Sequence, residues 1–157
     1  MYPRVTLLRL NKESKKKCSL TPLREQGRES FAWIDCSLGE EVEVEECTLL
    51  HPDGSLLSPA DASRPLLLVD SSWRDLPRVL RGVRGHLHRR SLPSGLLTAY
   101  PRKSTTYEDP ETGLASIEAL HAALCQLGYR DDSLLDGYYF KDTWLKNNAL
   151  ILQGVGG

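Results

Sequence analysis

Residues Pro65 to Trp73, PLLLVDSSW, hold the sharpest change of polarity in the chain. Leu66 to Val69 are wholly apolar, and Asp70, Ser71, Ser72 and Trp73 follow at once. A short continuous apolar run reads as a strand buried on both faces, as in a parallel sheet. Ligands of open α/β folds sit just beyond the carboxyl ends of such strands. A carboxylate there can take a proton, and an indole there can stack on a flat ring. The plainer reading is that Asp70 ends the strand and Ser72 caps a helix, and the local pattern leaves both open.

The pattern elsewhere predicts further elements. Val5 to Leu10 read as a strand, and Phe31 to Ile34 as a short one. Val42 and Val44 alternate with Glu41, Glu43 and Glu45, and the run continues through Cys47 to Leu50, as in a half-exposed strand. Asn11 to Gly27 is polar and basic, contains Pro22, and reads as a loop. His51-Pro52-Asp53-Gly54 reads as a turn, and Ser58-Pro59-Ala60-Asp61 as a second turn or a helix start. Ser72 with Asp75 resembles a capping box, and Leu76, Val79, Leu80 and Val83 give the helix that follows one apolar face. Gly82 and Gly85 should end it. Gly95 to Ala99 read as another buried strand, and Tyr100 to Gly113 as a long polar connection of the kind that often carries function. Ser116 can cap a helix bearing Ile117, Leu120, Leu124 and Leu127, with Gly128 as its stop. His121 should face out of that helix into solvent. A final helix from about Thr143 to Leu152 would bury Trp144, Leu145 and Ile151. The expected fold is α/β on a mainly parallel sheet, with a small β-rich lobe over 1–62 and a second unit over 63–157.

Composition narrows the class. An apolar fraction of 40% in 157 residues supports a real core. No apolar run approaches the roughly 18–20 residues that cross a bilayer. The start, MYPRVTLLRLNKES, shows no signal-peptide pattern, so a cytoplasmic protein is expected. Cys18, Cys36, Cys47 and Cys125 form no CxxC pair and should be free thiols, Cys125 within the core. The net charge is −1, yet charge is segregated. Lys12, Lys15, Lys16, Lys17, Arg24 and Arg28 cluster near the start, and Arg74, Arg78, Arg81, Arg84, Arg89 and Arg90 in the middle. Such patches suit phosphate contacts or are ordinary solvated faces.

Several chemistries find no support. There is no GxxxxGK[ST], no GxGxxG after a strand, no GxSxG and no HExxH. His51, His86, His88 and His121 are not spaced for a metal or a triad, and no metal is expected.

Fragments along most of the chain fit one family in the right order. They are Lys16-Lys17-Cys18-Ser19; Leu49-Leu50-His51-Pro52-Asp53-Gly54; Leu57-Ser58-Pro59-Ala60-Asp61; and Val69-Asp70-Ser71-Ser72-Trp73. Further on come Arg90-Ser91-Leu92-Pro93, Leu96-Leu97-Thr98-Ala99, Leu114-Ala115-Ser116-Ile117-Glu118-Ala119 and Trp144-Leu145-Lys146-Asn147-Asn148. Through these the chain resembles the small-subunit rRNA aminocarboxypropyltransferases, and more distantly the DTW-domain tRNA aminocarboxypropyltransferases. One departure stands out: the family's Asn-Pro-Val-Asn-Tyr-Gly is replaced by Tyr100-Pro101-Arg102-Lys103-Ser104-Thr105-Thr106-Tyr107, then further residues to Gly113.

The resemblance implies a SPOUT-like fold with a C-terminal trefoil knot and S-adenosylmethionine as cofactor. It also implies transfer of the 3-amino-3-carboxypropyl group to a uridine-type base in rRNA or tRNA. Asp70 is the expected base or orienting acceptor. Leu50, Trp73 and Leu97 are candidates for an apolar methyl pocket or for plain core packing. Thr98, Ala99, Tyr100, Leu114, Ala115 and Ser116 would hold the adenosine, and Ser19 the cofactor's polar end. Lys15, Lys16, Lys17, Arg74, Arg78, Arg81, Arg89 and Arg90 would carry RNA phosphates. Two alternatives stay in view: an RNA methyltransferase on the same fold, with the cofactor bound the other way round, and, because of the altered loop, a non-catalytic RNA- or ribosome-binding protein.

Overall fold

The computed structural model describes residues 3–11, 19–72, 74–99 and 113–153. Its strands are β1 (Val5–Leu10), β2 (Phe31–Cys36), β3 (Val42–Glu43), β4 (Cys47–Leu56), β5 (Leu66–Asp70), β6 (Val83–Arg84) and β7 (Leu87–Ser91). Its helices are α1 (Thr21–Glu25), α2 (Leu76–Gly82), α3 (Ser116–Leu127), α4 (Lys141–Asn147) and α5 (Ala149–Leu152). Five strands form one sheet in the order β2-β1-β5-β4-β7, and β3 pairs with β6 apart from it. Every pairing among them is parallel. The α/β class and the parallel sheet are therefore as the sequence predicts. Strands from both sides of residue 62 are neighbours in that one sheet.

Parallel strands buried on both faces explain the apolar runs. Alternate residues of β1 and β5 serve two cores. Val5, Leu7, Leu66 and Leu68 pack with Ile117, Leu120 and Leu124 of α3. Leu8, Leu10 and Leu67 pack with Val79 of α2 and with Val83. The period of two thus assigns Arg9 and Asp70, the next odd and even members, to the α3 side.

Several expectations change in the fold. The loop over Asn11 to Gly27 contains α1, which opens with Pro22 in its first turn. The acidic strand is split into β3 and β4. His51 to Gly54 lie inside β4, where its pairing with β7 shifts register between Leu50 and Ser55. Turn-forming residues are absorbed as a bulge in a continuing strand. Gly54 is required there: a Cβ would fall on the Arg89 carbonyl and the Arg90 amide. Gly95 to Ala99 form no strand; Leu96 is buried, whereas Leu97 is 59% exposed. The last helix is broken at Asn148 into α4 and α5. His121 is fully buried. It accepts the indole N–H of Trp144 on Nδ1 at 3.0 Å and meets Asp132 through Nε2 at 2.8 Å. A helix packed on several sides has no solvent face at that position, whatever its apolar stripe. Among the described residues, no helix is long and apolar enough to cross a membrane.

Candidate active site

All strands of the main sheet run the same way, so their carboxyl ends share one edge. From β1 the chain moves to β2 on one side, and from β5 to β7 on the other. The order reverses between β1 and β5, which is where open α/β sheets form their ligand crevice. Arg9 and Asp70 are register partners across that pair.

Arg9 is 3% exposed. Its Nε lies 3.7 Å from Asp70 Oδ2 and has no hydrogen-bond partner among the described residues. Its guanidinium also lies 5.6 Å from the centre of the Trp33 ring and donates a long bond, 3.4 Å, to Thr21. Ser116 Oγ donates to Asp70 Oδ1 at 2.7 Å. Asp70 is therefore an acceptor fixed from two sides at the start of α3, where the helix dipole favours negative charge.

Ser116 is the first residue of α3 rather than its cap. The Ile117 N–H of the first turn, which has no partner within the helix, instead donates to Ser19 Oγ at 3.0 Å, brought in by the segment after β1. Ser19, Asp70 and Ser116 thus meet at one helix start although nearly a hundred residues separate the first from the last.

Two side chains that sequence reasoning left without a role fix the neighbouring loops. Glu118 is fully buried. Its Oε1 accepts Thr98 Oγ1 at 2.7 Å and Ala115 N at 2.8 Å. Its Oε2 accepts Ala99 N at 2.9 Å and Tyr138 OH at 2.9 Å. Asn148 accepts Leu97 N at 2.7 Å and donates to Leu97 O and Trp144 O, both at 2.9 Å. The N–H groups of Leu97, Ala99 and Ala115 therefore point into the protein and serve to position the loops. Glu118 and Asn148 both lie in the resembling fragments, which was their signal. Leu50, Ala99, Leu114 and Ala115 are half-buried against the α3-side core. Trp73, Tyr100, Lys15, Lys16 and Lys17 lie outside the described residues.

The arginines divide. Arg74, Arg78, Arg81 and Arg89 are exposed. Arg78, Arg81 and Arg84 line a shallow depression of about 240 Å³ with Gly39, Glu41 and Gly82. Arg90 differs: its Nε donates to the buried Asp61 at 3.1 Å. Asp61 also pairs with Arg64 and accepts the Ser58 N–H at 3.1 Å. That network ties β7 to the 3-10 turn Pro59–Ser63, a structural use for an arginine expected on phosphate.

Cys36, Cys47 and Cys125 are buried free thiols. Burial pushes Cys47 and Cys125 up to about 11, so both are protonated and unreactive at neutral pH.

Fold and site together define an α/β protein on a parallel sheet whose switch point carries Arg9 and Asp70. No family model and no curated protein matches the chain. A solved structure does, that of the SAM-dependent rRNA:acp-transferase Tsr3 from Vulcanisaeta distributa. It is 30% identical with a TM-score of 0.72, and the match covers 98% of this chain and 82% of that one. The chain belongs to the Tsr3 family.

Proposed function

We propose that the chain transfers the 3-amino-3-carboxypropyl group of S-adenosylmethionine to a uridine-type base in rRNA. The observation that carries this reading is Asp70, held between Ser116 and Arg9 at the β1/β5 switch point. Bound there, the cofactor would supply an electrophilic carbon next to its sulfonium, whose C–S bond breaks as the base nitrogen attacks and methylthioadenosine leaves. The residues fit such a ligand. The Leu97 backbone is pinned at both its N–H and its C=O while its side chain stays exposed, an apolar surface already fixed in place. Leu50, Trp73 and Leu97 would cover the apolar part of the cofactor. Thr98 to Tyr100 and Leu114 to Ser116 would enclose its adenosine, and Ser19 would lie near its polar end. Asp70 would hold and deprotonate the acceptor N–H. Arg74, Arg78, Arg81 and Arg89, with Lys15 to Lys17, would meet RNA phosphates, which give affinity without selecting sequence. The reading includes the SPOUT-type trefoil knot in the C-terminal part and action in the cytoplasm, where free thiols persist.

The test is transfer of carboxyl-labelled S-adenosylmethionine to rRNA from cells lacking the protein. Label in the RNA supports the reading; movement of methyl label alone overturns it in favour of methyl transfer. Asp70→Asn should slow transfer by about 10²–10⁴-fold, the usual range for a positioned base. Its cofactor affinity should stay within about tenfold. Full activity in that variant would remove Asp70 from the chemistry.

A further inference from the structure

The opposite end of the sheet carries a second cluster of chemically capable side chains. Glu46 immediately precedes β4, and His86 and His88 stand at the start of β7. Cys47 pairs with Leu87 and Thr48 with His88, so the two segments are level. The Cys47 N–H donates to the His86 carbonyl at 3.1 Å, which locks that level. Residues two apart on a strand share a face. His86 and His88 accordingly stack, with ring centres 4.4 Å apart and planes 19° from parallel. Glu46 Oε2 lies 2.7 Å from His88 Nε2. One ligand atom from each of Glu46, His86 and His88 falls within 4.8 Å of the others.

We propose that Glu46, His86 and His88 bind one divalent cation of the zinc class and so clamp β4 to β7. Two imidazoles and a carboxylate are a borderline donor set that suits zinc and disfavours magnesium and calcium, which prefer oxygen. Ligand atoms about 2.0–2.2 Å from a tetrahedral ion stand ~3.3–3.5 Å apart. Binding needs the Glu46–His88 contact to open and one imidazole to rotate out of the stack, so that both ring planes contain the ion. Glu46 and His86 are exposed and His88 is half-buried, so the fourth position falls to water. Glu46 is level with the residues just before Leu66. At about 3.3 Å per residue the cluster is therefore ~20 Å along the strands from Asp70. The clamp is a fastening for the sheet and is separate from the site proposed for transfer. Sequence spacing hides it, because the carboxylate comes from another strand.

The experiment uses the tag-free full chain, titrated with zinc and with magnesium by calorimetry. One zinc per chain should bind and raise the melting temperature, and magnesium should do neither. His86→Ala, His88→Ala and Glu46→Gln should each weaken zinc by at least about 100-fold, since even outer-shell changes cost 10–100-fold. Glu46 and His86 are exposed and His88 is half-buried, so circular dichroism of the variants should match the parent. Cobalt in place of zinc should give tetrahedral visible bands with no thiolate charge-transfer band. Three results would each overturn the proposal: no zinc binding below about millimolar, binding that survives all three substitutions, or a thiolate band that assigns the ion to a cysteine.

Discussion

Arg9 and Asp70 show what a single residue position can carry. Each follows an apolar run, and each falls on the α3 side by the two-residue period of its strand. A buried guanidinium is costly unless paired, and Arg9 lies beside Asp70. His121 makes a second residue-scale argument. Its pKa lies below the ordinary imidazole value because of burial, which outweighs the opposing contact with Asp132. The Trp144 N–H on Nδ1 fixes the neutral form, since a second proton would face that donor. The unfolded chain therefore binds the proton more readily than the folded one. Stability is complete above about pH 6.5 and falls as pH drops from there through the lowered folded value, by at most about 1.4 kcal/mol per pH unit. His51, also lowered by burial, adds a slope of the same sign. Melting temperatures measured from pH 7.5 to 5.5 should decline, and His121→Gln should flatten part of that decline. An unchanged slope in the variant would assign the effect to other groups.

At the scale of elements, α3 is the organiser. Its first turn takes a cap from Ser19, Glu118 in the same turn holds the neighbouring loops, and Gly128 closes the helix at φ 91°. The break at Asn148 has a matching purpose. At the interruption between α4 and α5 one side-chain amide meets both Leu97 backbone groups. Asn148→Ala removes three hydrogen bonds, two of them to the Leu97 backbone, which should cost about 2–3 kcal/mol. For a chain of this length that is roughly 5–10 °C in melting temperature. The same variant should raise the KM for S-adenosylmethionine more than it lowers kcat, because it loosens a loop rather than touching the reacting atoms. A fall in kcat alone would contradict the positioning role.

Across the whole molecule, a parallel sheet of five strands sets one edge for ligand chemistry, and positive charge collects on and after α2. Arg78 and Arg81 on α2 and Arg84 after it share one depression, and Arg84 is bridged to Glu41 at 3.1 Å. RNA affinity should fall steeply with salt. Replacing Arg78 and Arg81 by Ala should reduce the slope of log K against log salt by about 1.4, at ~0.7 for each single-strand phosphate left unneutralised. Filter binding across a salt series measures this, and an unchanged slope would place the RNA elsewhere.

Local pattern was enough for the class of fold, the buried strand ending on Asp70, the apolar stripe of α3 with its glycine stop, and the family resemblance. These depend on local period and on short fragments in order, which a one-dimensional reading contains. It misassigned His51 to Gly54, Gly95 to Ala99 and His121, because local pattern cannot tell a bulge from a turn or a buried helix face from a solvated one. The meeting of Arg9, Ser19, Asp70 and Ser116 was decided only in three dimensions, as was that of Glu46 with His86 and His88. Each joins strands or helices distant in sequence, and parallel pairing by crossover connections sets their register far beyond the reach of any local spacing.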